Sequence, residues 1–153
     1  DNALGQKGCE EILTSEMFMY QQVFCALGTG TTYKGISKSL LPHQKLNVVN
    51  VLKFEAMPNE EQTSILNNYH FGGYGKVSSE LIEFINQFYV VNQVPLDPIY
   101  TGKMVFGVID LIHNNYFPEN SKILLIHTGG IQGIQGMNIK LKSKNLQTIQ
   151  IND

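Results

Sequence analysis

The chain reads as an α/β protein with a mainly parallel sheet flanked by helices, on three observations. Apolar runs of strand character alternate along it with stretches of helical period. The run Ile123-Leu124-Leu125-Ile126 is continuously apolar rather than alternating, as in a parallel strand covered on both faces. Two such runs end directly in hydroxyl-bearing glycine turns, Gly28-Thr29-Gly30-Thr31-Thr32 and His127-Thr128-Gly129-Gly130. With 153 residues, 42% of them hydrophobic, one core of ordinary size is available, and residues 1–153 are taken as a single unit.

In chain order, residues 4 to 19 have helical period, with Cys9, Ile12, Leu13 and Met17 on one side. Gly5 and Gly8 weaken its first turn by about 1 kcal/mol each unless something packs closely there. Val23 to Leu27 is a strand, and from Thr32 a helix places Tyr33, Ile36 and Leu40 on one face before Pro42 ends it. Asn47 to Glu55 is a second strand, rich in β-branched residues. Pro58-Asn59 sets up a third helix, with Asn59 as N-cap and Gln62 completing a capping box. His70-Phe71-Gly72-Gly73-Tyr74-Gly75 is a loop whose glycines present one tyrosine.

Ser78 or Ser79 caps the next helix, with Leu81, Phe84, Ile85, Phe88 and Tyr89 as its buried stripe. Val94 to Ile99 is extended, because Pro95 and Pro98 each disfavour helix at the residue before. A strongly apolar helix follows from Tyr100-Thr101-Gly102-Lys103, carrying Val105, Val108, Ile109 and Ile112. Lys103, at its start, is expected to be structural or solvent-facing. The tail after Met137 is polar and expected at the periphery.

Several function classes fall away. The net charge of −2 gives no electrostatic reason to expect nucleic acid or an anionic membrane as partner. All eleven basic residues are lysine, so no bidentate guanidinium is available and phosphate recognition must rest on backbone N–H groups and hydroxyls. His43, His70, His113 and His127 lack ligand spacing, so no metal site is expected. No Gly-x-Ser-x-Gly elbow supports a hydrolytic triad. Cys9 and Cys25 are expected to be buried thiols. The absence of an apolar run of about 18 residues and of a signal peptide points to the cytoplasm. Asp1-Asn2-Ala3-Leu4-Gly5 runs straight into helical pattern without an initiator methionine, as if cut from a larger protein.

The turn from Gly28 to Thr32 holds the clearest chemistry. Strand, glycine turn and helix start make an anion cradle, because glycines admit close approach and first-turn N–H groups point outward. The same residues also serve as an ordinary βα connection, and both readings stand. A Walker A loop needs Gly-Lys-Ser/Thr starting five residues after its first glycine, and that place after Gly28 holds Tyr33. A dinucleotide fold is weakened because Gly35 comes two residues late, although Glu55 imitates the ribose-binding acid. A phosphorylated aromatic cofactor matches best, with its phosphate in the first turn and its ring beneath the second.

Four stretches occur in family order: Asn2-Ala3-Leu4-Gly5, the Gly28–Thr32 loop, Leu96-Asp97-Pro98-Ile99-Tyr100-Thr101-Gly102-Lys103, and Ile126-His127-Thr128-Gly129-Gly130. Together they resemble the C-terminal half of the 1-aminocyclopropane-1-carboxylate deaminase/D-cysteine desulfhydrase family. That resemblance implies a tryptophan-synthase-β-like fold, with this chain as part of the large domain. It implies pyridoxal 5′-phosphate as cofactor, with Gly28, Thr29, Gly30, Thr31 and Thr32 holding its phosphate. It further implies Tyr100 at the substrate face of the ring, and Tyr74 as a second active-site tyrosine. The family's aldimine lysine would lie in an N-terminal half outside this chain, so the chain alone is expected to bind cofactor weakly and to be inactive. A homodimer is implied for the full-length protein.

Thr101 and Thr128 stand where the deaminases typically carry glutamate and leucine, which is similar to the desulfhydrase branch. Both are therefore taken as cofactor-contacting. A hydroxyl facing the pyridine nitrogen protonates it far less than a carboxylate would, which suits expulsion of a thiol better than opening of a cyclopropane. The expected activity is thus β-elimination from D-cysteine-like substrates. The alternatives are 1-aminocyclopropane-1-carboxylate deamination, or a non-catalytic phosphate- or nucleotide-binding α/β module. Both threonines also suit simple capping of the turns that follow them.

Overall fold

The computed structural model describes residues 3–53 and 61–151. The strands β1 (Gln22–Leu27), β2 (Lys45–Asn50), β3 (Thr63–Leu66) and β4 (Ile123–Leu125) form one parallel sheet in the order β3-β2-β1-β4. Between them run α1 (Ala3–Glu10), α2 (Thr31–Lys38), α3 (Ser79–Asn92), α4 (Thr101–His113) and, after β4, α5 (Gly133–Ser143).

Strand alternation divides the interior into two cores. Val23, Cys25 and Leu27 of β1 join Leu46 and Val48 of β2 under Tyr33 and Ile36 of α2. Phe24 and Val49, one residue out of phase, face Leu81, Ile85, Met104 and Val108 of α3 and α4. Each strand thus serves both helical layers, the arrangement a parallel sheet requires.

Several elements depart from the sequence expectation. The helix expected over 4–19 stops at Glu10, and a short 3₁₀ turn, Ser15–Met17, follows. Asn59 lies outside the described residues, and Gln62 does not open a helix. Its amide donates to the carbonyls of Leu41 (2.9 Å) and Gln44 (3.0 Å), and Thr63–Leu66 pairs with β2 as a strand. The second strand ends at Asn50 among the described residues, and Glu55 lies outside them. β4 is parallel as expected, but Ile123, Leu124 and Leu125 are only half-buried, because β4 forms an edge of this sheet.

The tail is not peripheral. Ile134, Met137 and Leu141 of α5 and Ile149 are buried in the larger core. Asn138 clamps Ile149 from both sides, donating to its carbonyl at 2.9 Å and accepting from its amide at 2.8 Å. Ser78, not Ser79, caps α3, accepting from the Leu81 amide. Cys25 is buried, with its thiol pushed up to about 12 by burial, whereas Cys9 is only half-buried. Among the described residues no helix is long and apolar enough to cross a membrane, and no cluster of side chains is suited to a metal ion.

Candidate active site at the strand ends

The sheet order locates the site before any side chain is considered. From β1 the chain moves to β2 and β3 on one side, then returns to lay β4 on the other side of β1. The reversal lies between β1 and β4, and ligands of open parallel sheets gather beyond the carboxyl ends at such a point. Both glycine turns emerge there. Gly28 follows the last residue of β1, and the Ile126 amide still bonds to Phe24 O (2.9 Å) before His127 begins the second turn.

The first turn suits an anion. Gly30 is the N-cap of α2, in left-handed conformation at φ 96°, and it offers no side chain to the first-turn amides. Thr29 is exposed, with its hydroxyl 3.3 Å from that of Thr31, and Thr31 and Thr32 are half-buried. Lys34 folds back over the turn, its Nζ 4.0 Å from where a side chain on Gly30 would begin. That ammonium adds positive charge where helix and turn already favour an anion. Sequence reasoning passed over Lys34, although its place in the first turn of the helix was a usable signal.

Tyr100 meets this turn directly. A Cβ added to Gly28 would lie 3.4 Å from Cε1 of the Tyr100 ring, so glycine permits the phenol to close against the strand end. Burial raises the Tyr100 pKa above that of an ordinary phenol, and the neighbouring Tyr74 and Asp97 raise it further. Tyr74 is presented from its loop at 65% exposure, so the two phenols share one mouth with unequal burial.

Asp97 sets the ring's position. It is 1% exposed, and Oδ1 accepts from the amides of Ile99 (2.8 Å) and Tyr100 (2.7 Å). Oδ2 accepts from the Thr101 amide (2.9 Å) and the Thr101 hydroxyl (2.6 Å). The carboxylate therefore satisfies amides that α4 leaves unpaired and favours its positive end. Thr101 is itself fully buried, and its hydroxyl also accepts from the Asp97 amide (3.1 Å). It lies within this knot rather than facing a ligand, so direct contact with a cofactor is replaced by capping. The sequence carried the signal, an aspartate ahead of Tyr-Thr-Gly-Lys, but within that motif no role was assigned to Asp97.

The second turn is bolted to the same segment. His127 bonds Pro95 O through Nε2 at 2.9 Å and accepts from the Gly129 amide at Nδ1 (3.0 Å), which makes Nε2 the protonated nitrogen. A Cβ on Gly130 would lie 3.3 Å from the Asp97 carboxylate. Thr128, between these anchors, is exposed to solvent. Asp97 thus links Tyr100, which closes on Gly28, to Gly130 of the second turn, with Thr101 buried against the same carboxylate.

Lys103 is not solvent-facing. It is 0% exposed and donates to the carbonyls of His70 (2.9 Å), Gly73 (2.9 Å) and Val51 (3.4 Å). Burial pushes its pKa down to about 8, against the opposing pull of Asp97. A separate concavity of about 640 Å³ runs along α5, lined by Ile131, Ile134, Ile139 and Ile149 with Gln135 and Lys142. It offers no acid–base pair, and the strand-end mouth remains the better candidate.

No family model matches the chain. A 1-aminocyclopropane-1-carboxylate deaminase of Bradyrhizobium sp. (strain ORS 278) is 33% identical over 121 residues, covering 74% of this chain and 36% of its own length. The crystal structure of a homologue of that enzyme superposes with a TM-score of 0.73 at 27% identity, over 91% of this chain and 48% of its own. The chain belongs to the 1-aminocyclopropane-1-carboxylate deaminase family. A hydrogen sulfide-producing enzyme, solved with an α-aminoacrylate intermediate, superposes with a TM-score of 0.59 over all of this chain and 51% of its own. At 13% identity this second likeness speaks for the fold. The family depends on pyridoxal phosphate, and a glycine-capped helix start flanked by hydroxyls and a lysine fits the phosphate of that cofactor. The chain spans between about a third and a half of the length of the relatives it matches.

Proposed function

We propose that this chain supplies the phosphate cradle and one wall of the active site of a pyridoxal-phosphate-dependent enzyme that deaminates a small amino acid. The first candidate substrate is 1-aminocyclopropane-1-carboxylate, the compound named for its relatives. One observation carries the reading: Tyr100 closes against Gly28 at the point where the sheet order reverses. When bound, the cofactor supplies an electron sink for negative charge developing on the amino acid.

The chain's own groups divide the remaining work. Backbone N–H groups and hydroxyls from Gly28 to Thr32 bind the phosphate, with Lys34 supplying charge in the absence of arginine. Tyr100, with its pKa raised, keeps the proton on Oη at neutral pH and can hand it to carbon. Tyr74, more exposed, is the second proton-handling group at the mouth. Thr128 offers a hydroxyl from the opposite corner, and Thr101 acts through Asp97 on the placement of Tyr100.

A second reading keeps β-elimination from D-cysteine. It is favoured by the exposed Thr128 hydroxyl, but Thr101 no longer supports it, because its hydroxyl is taken up by Asp97. The lysine that bonds the cofactor is proposed to lie outside residues 1–153, so that these residues alone bind it weakly and turn nothing over. A cytoplasmic homodimer is the proposed setting.

The full-length gene product, titrated with pyridoxal phosphate, should gain near-visible absorption and then deaminate an amino acid. 1-Aminocyclopropane-1-carboxylate and water would give 2-oxobutyrate and ammonia. D-Cysteine and water would give pyruvate, ammonia and hydrogen sulfide. Production of 2-oxobutyrate supports the first reading, and sulfide with pyruvate the second. Phosphate binding with neither product would return the chain to the non-catalytic module.

A further inference from the structure

Among the described residues Lys103 is the one buried lysine, and the proposed chemistry does not use it. A lysine ammonium almost never lies fully inside a protein unless it is fully partnered. Here the partners are all backbone carbonyls, those of His70, Gly73 and Val51, which come from two separate stretches of chain. Two of the three belong to the loop that bears Tyr74.

Apart from Lys103, that loop is held to the rest of the molecule by the Phe71 ring, edge-on to Phe106 at 5.1 Å, and by Lys140, which donates to the Gly75 carbonyl at 3.3 Å. Phe71, Gly72, Gly73 and Gly75 all have positive φ, at 53°, 98°, 118° and 61°. The carbonyls of His70 and Gly73, on either side of Phe71 and Gly72, both turn toward the Lys103 ammonium. The internal bonds are short-range: Gly73 N to His70 O (3.0 Å), Lys76 N to Gly73 O (3.2 Å), and Gly72 N to His70 Nδ1 (2.9 Å). Lys103 joins this turn to Val51, next to the end of β2, and to the first turn of α4. Tyr74 follows Gly73 directly and stands near enough to Tyr100 to raise its pKa.

We infer that Lys103 is a positioning residue, its ammonium occupying a nest of carbonyls from residues 51, 70 and 73 and thereby holding the Tyr74 loop over Tyr100. The inference rests on the proposed function only in giving Tyr74 a catalytic task. Lys103 touches neither tyrosine among the bonds described, so it acts through the loop backbone. Its place three residues after Tyr100 lets one short segment set both phenols. Asp97 fixes Tyr100 from one end of that segment, and Lys103 fixes Tyr74 from the other.

The test compares the full-length wild type with Lys103→Met and Lys103→Arg by hydrogen exchange at neutral pH. In both variants the amides of Gly73 and Lys76 should exchange at least about tenfold faster, while those of β1 and β2 keep their protection. In the cofactor-loaded enzyme, Lys103→Met should lower kcat about tenfold or more with KM within about twofold. Adding Tyr74→Phe to Lys103→Met should then cost little beyond either change alone, because both act on one group. Unchanged loop exchange in either folded variant overturns the inference. So does the failure of both variants to fold, since Lys103 would then be a core residue rather than a loop anchor. Faster loop exchange in a protein that proves to have no pyridoxal-phosphate activity would uphold the anchoring and overturn the functional reading instead.

Discussion

Two turns in this molecule share the pattern His-x-Gly-Gly, and they are put to opposite uses. In His127-Thr128-Gly129-Gly130 and in His70-Phe71-Gly72-Gly73, the amide two residues on donates to the histidine Nδ1, at 3.0 and 2.9 Å. Both glycines of each turn have positive φ. What lies underneath differs. Gly130 rests on the Asp97 carboxylate, whereas the carbonyls of His70 and Gly73 converge on the Lys103 ammonium. The same sequence pattern thus packs against a carboxylate in one place and presents acceptors to an ammonium in the other. Both charges come from the single stretch Asp97–Lys103, which also presses Tyr100 on Gly28. The mouth at the strand ends is assembled from within by that segment.

Removing the charge beneath each turn should separate the two most sharply. Asp97→Ala leaves the amides of Ile99, Tyr100 and Thr101 without their acceptor and should cost about 3 kcal/mol or more in urea unfolding. Cofactor affinity should fall with it, because Tyr100 and the second turn lose their common support. A loss under about 1 kcal/mol would mean that the knot is ornamental.

A smaller, more local effect is expected from Gly28→Val. Its branched side chain meets the Tyr100 ring and should weaken pyridoxal-phosphate binding by about tenfold or more, while unfolding shifts by only about 1–2 kcal/mol. Gly28→Ala, whose methyl would stand 3.4 Å from the ring, should fall between wild type and valine. An absorbance titration of the full-length protein checks the order.

The lysine side of the comparison predicts a pH signature. Folded Lys103 has its pKa lowered to about 8 from 10.5, so between those values the unfolded chain holds a proton that the folded chain has released. Stability from this group therefore rises as pH climbs from about 8 to about 10.5, and is lost again as pH falls through the folded value. Cys25 and Tyr69, both pushed up to about 12, pull the other way at high pH, so the contrast with Lys103→Met isolates the lysine. The difference in unfolding free energy should grow in favour of wild type by about 2–3 kcal/mol across that range. A flat difference would place the ammonium in water.

The weakest effects belong to the histidines. His127→Ala should speed exchange of the Gly129 amide by several-fold, and His70→Ala should do less to Gly72, because Lys103 still holds that turn. Equal effects would remove the distinction between the two turns.

Much of this was legible beforehand where the signal is local. β1, the parallel character of β4, the Ser78 cap and the glycine turns follow from contiguous residues, whereas the two glycine corners lie side by side only because β4 pairs with β1. The misses share a cause. β3 is four residues long and lies behind residues that mimic a capping box, so only its pairing with β2 reveals it. α5 carries Ile134, Met137 and Leu141 at helical spacing, yet Gly133, Gly136 and its lysines disguise the period. Lys103 is buried by carbonyls that precede it by 30 to 52 residues, which no window along the chain can sense. Thr101 reads as a ligand-facing hydroxyl until Asp97, four residues earlier, is seen to claim it. The repeated His-x-Gly-Gly pattern was the available hint that residues 70–73 and 127–130 share a histidine-to-amide bond.

The most direct measurement is a crystal structure of the full-length protein grown with pyridoxal phosphate. The account predicts the phosphate within hydrogen-bonding distance of the Gly28–Thr32 backbone, with the ring lying between Tyr100 and Thr128. A phosphate held elsewhere, such as along α5, or a Tyr100 ring swung away from Gly28, would contradict it.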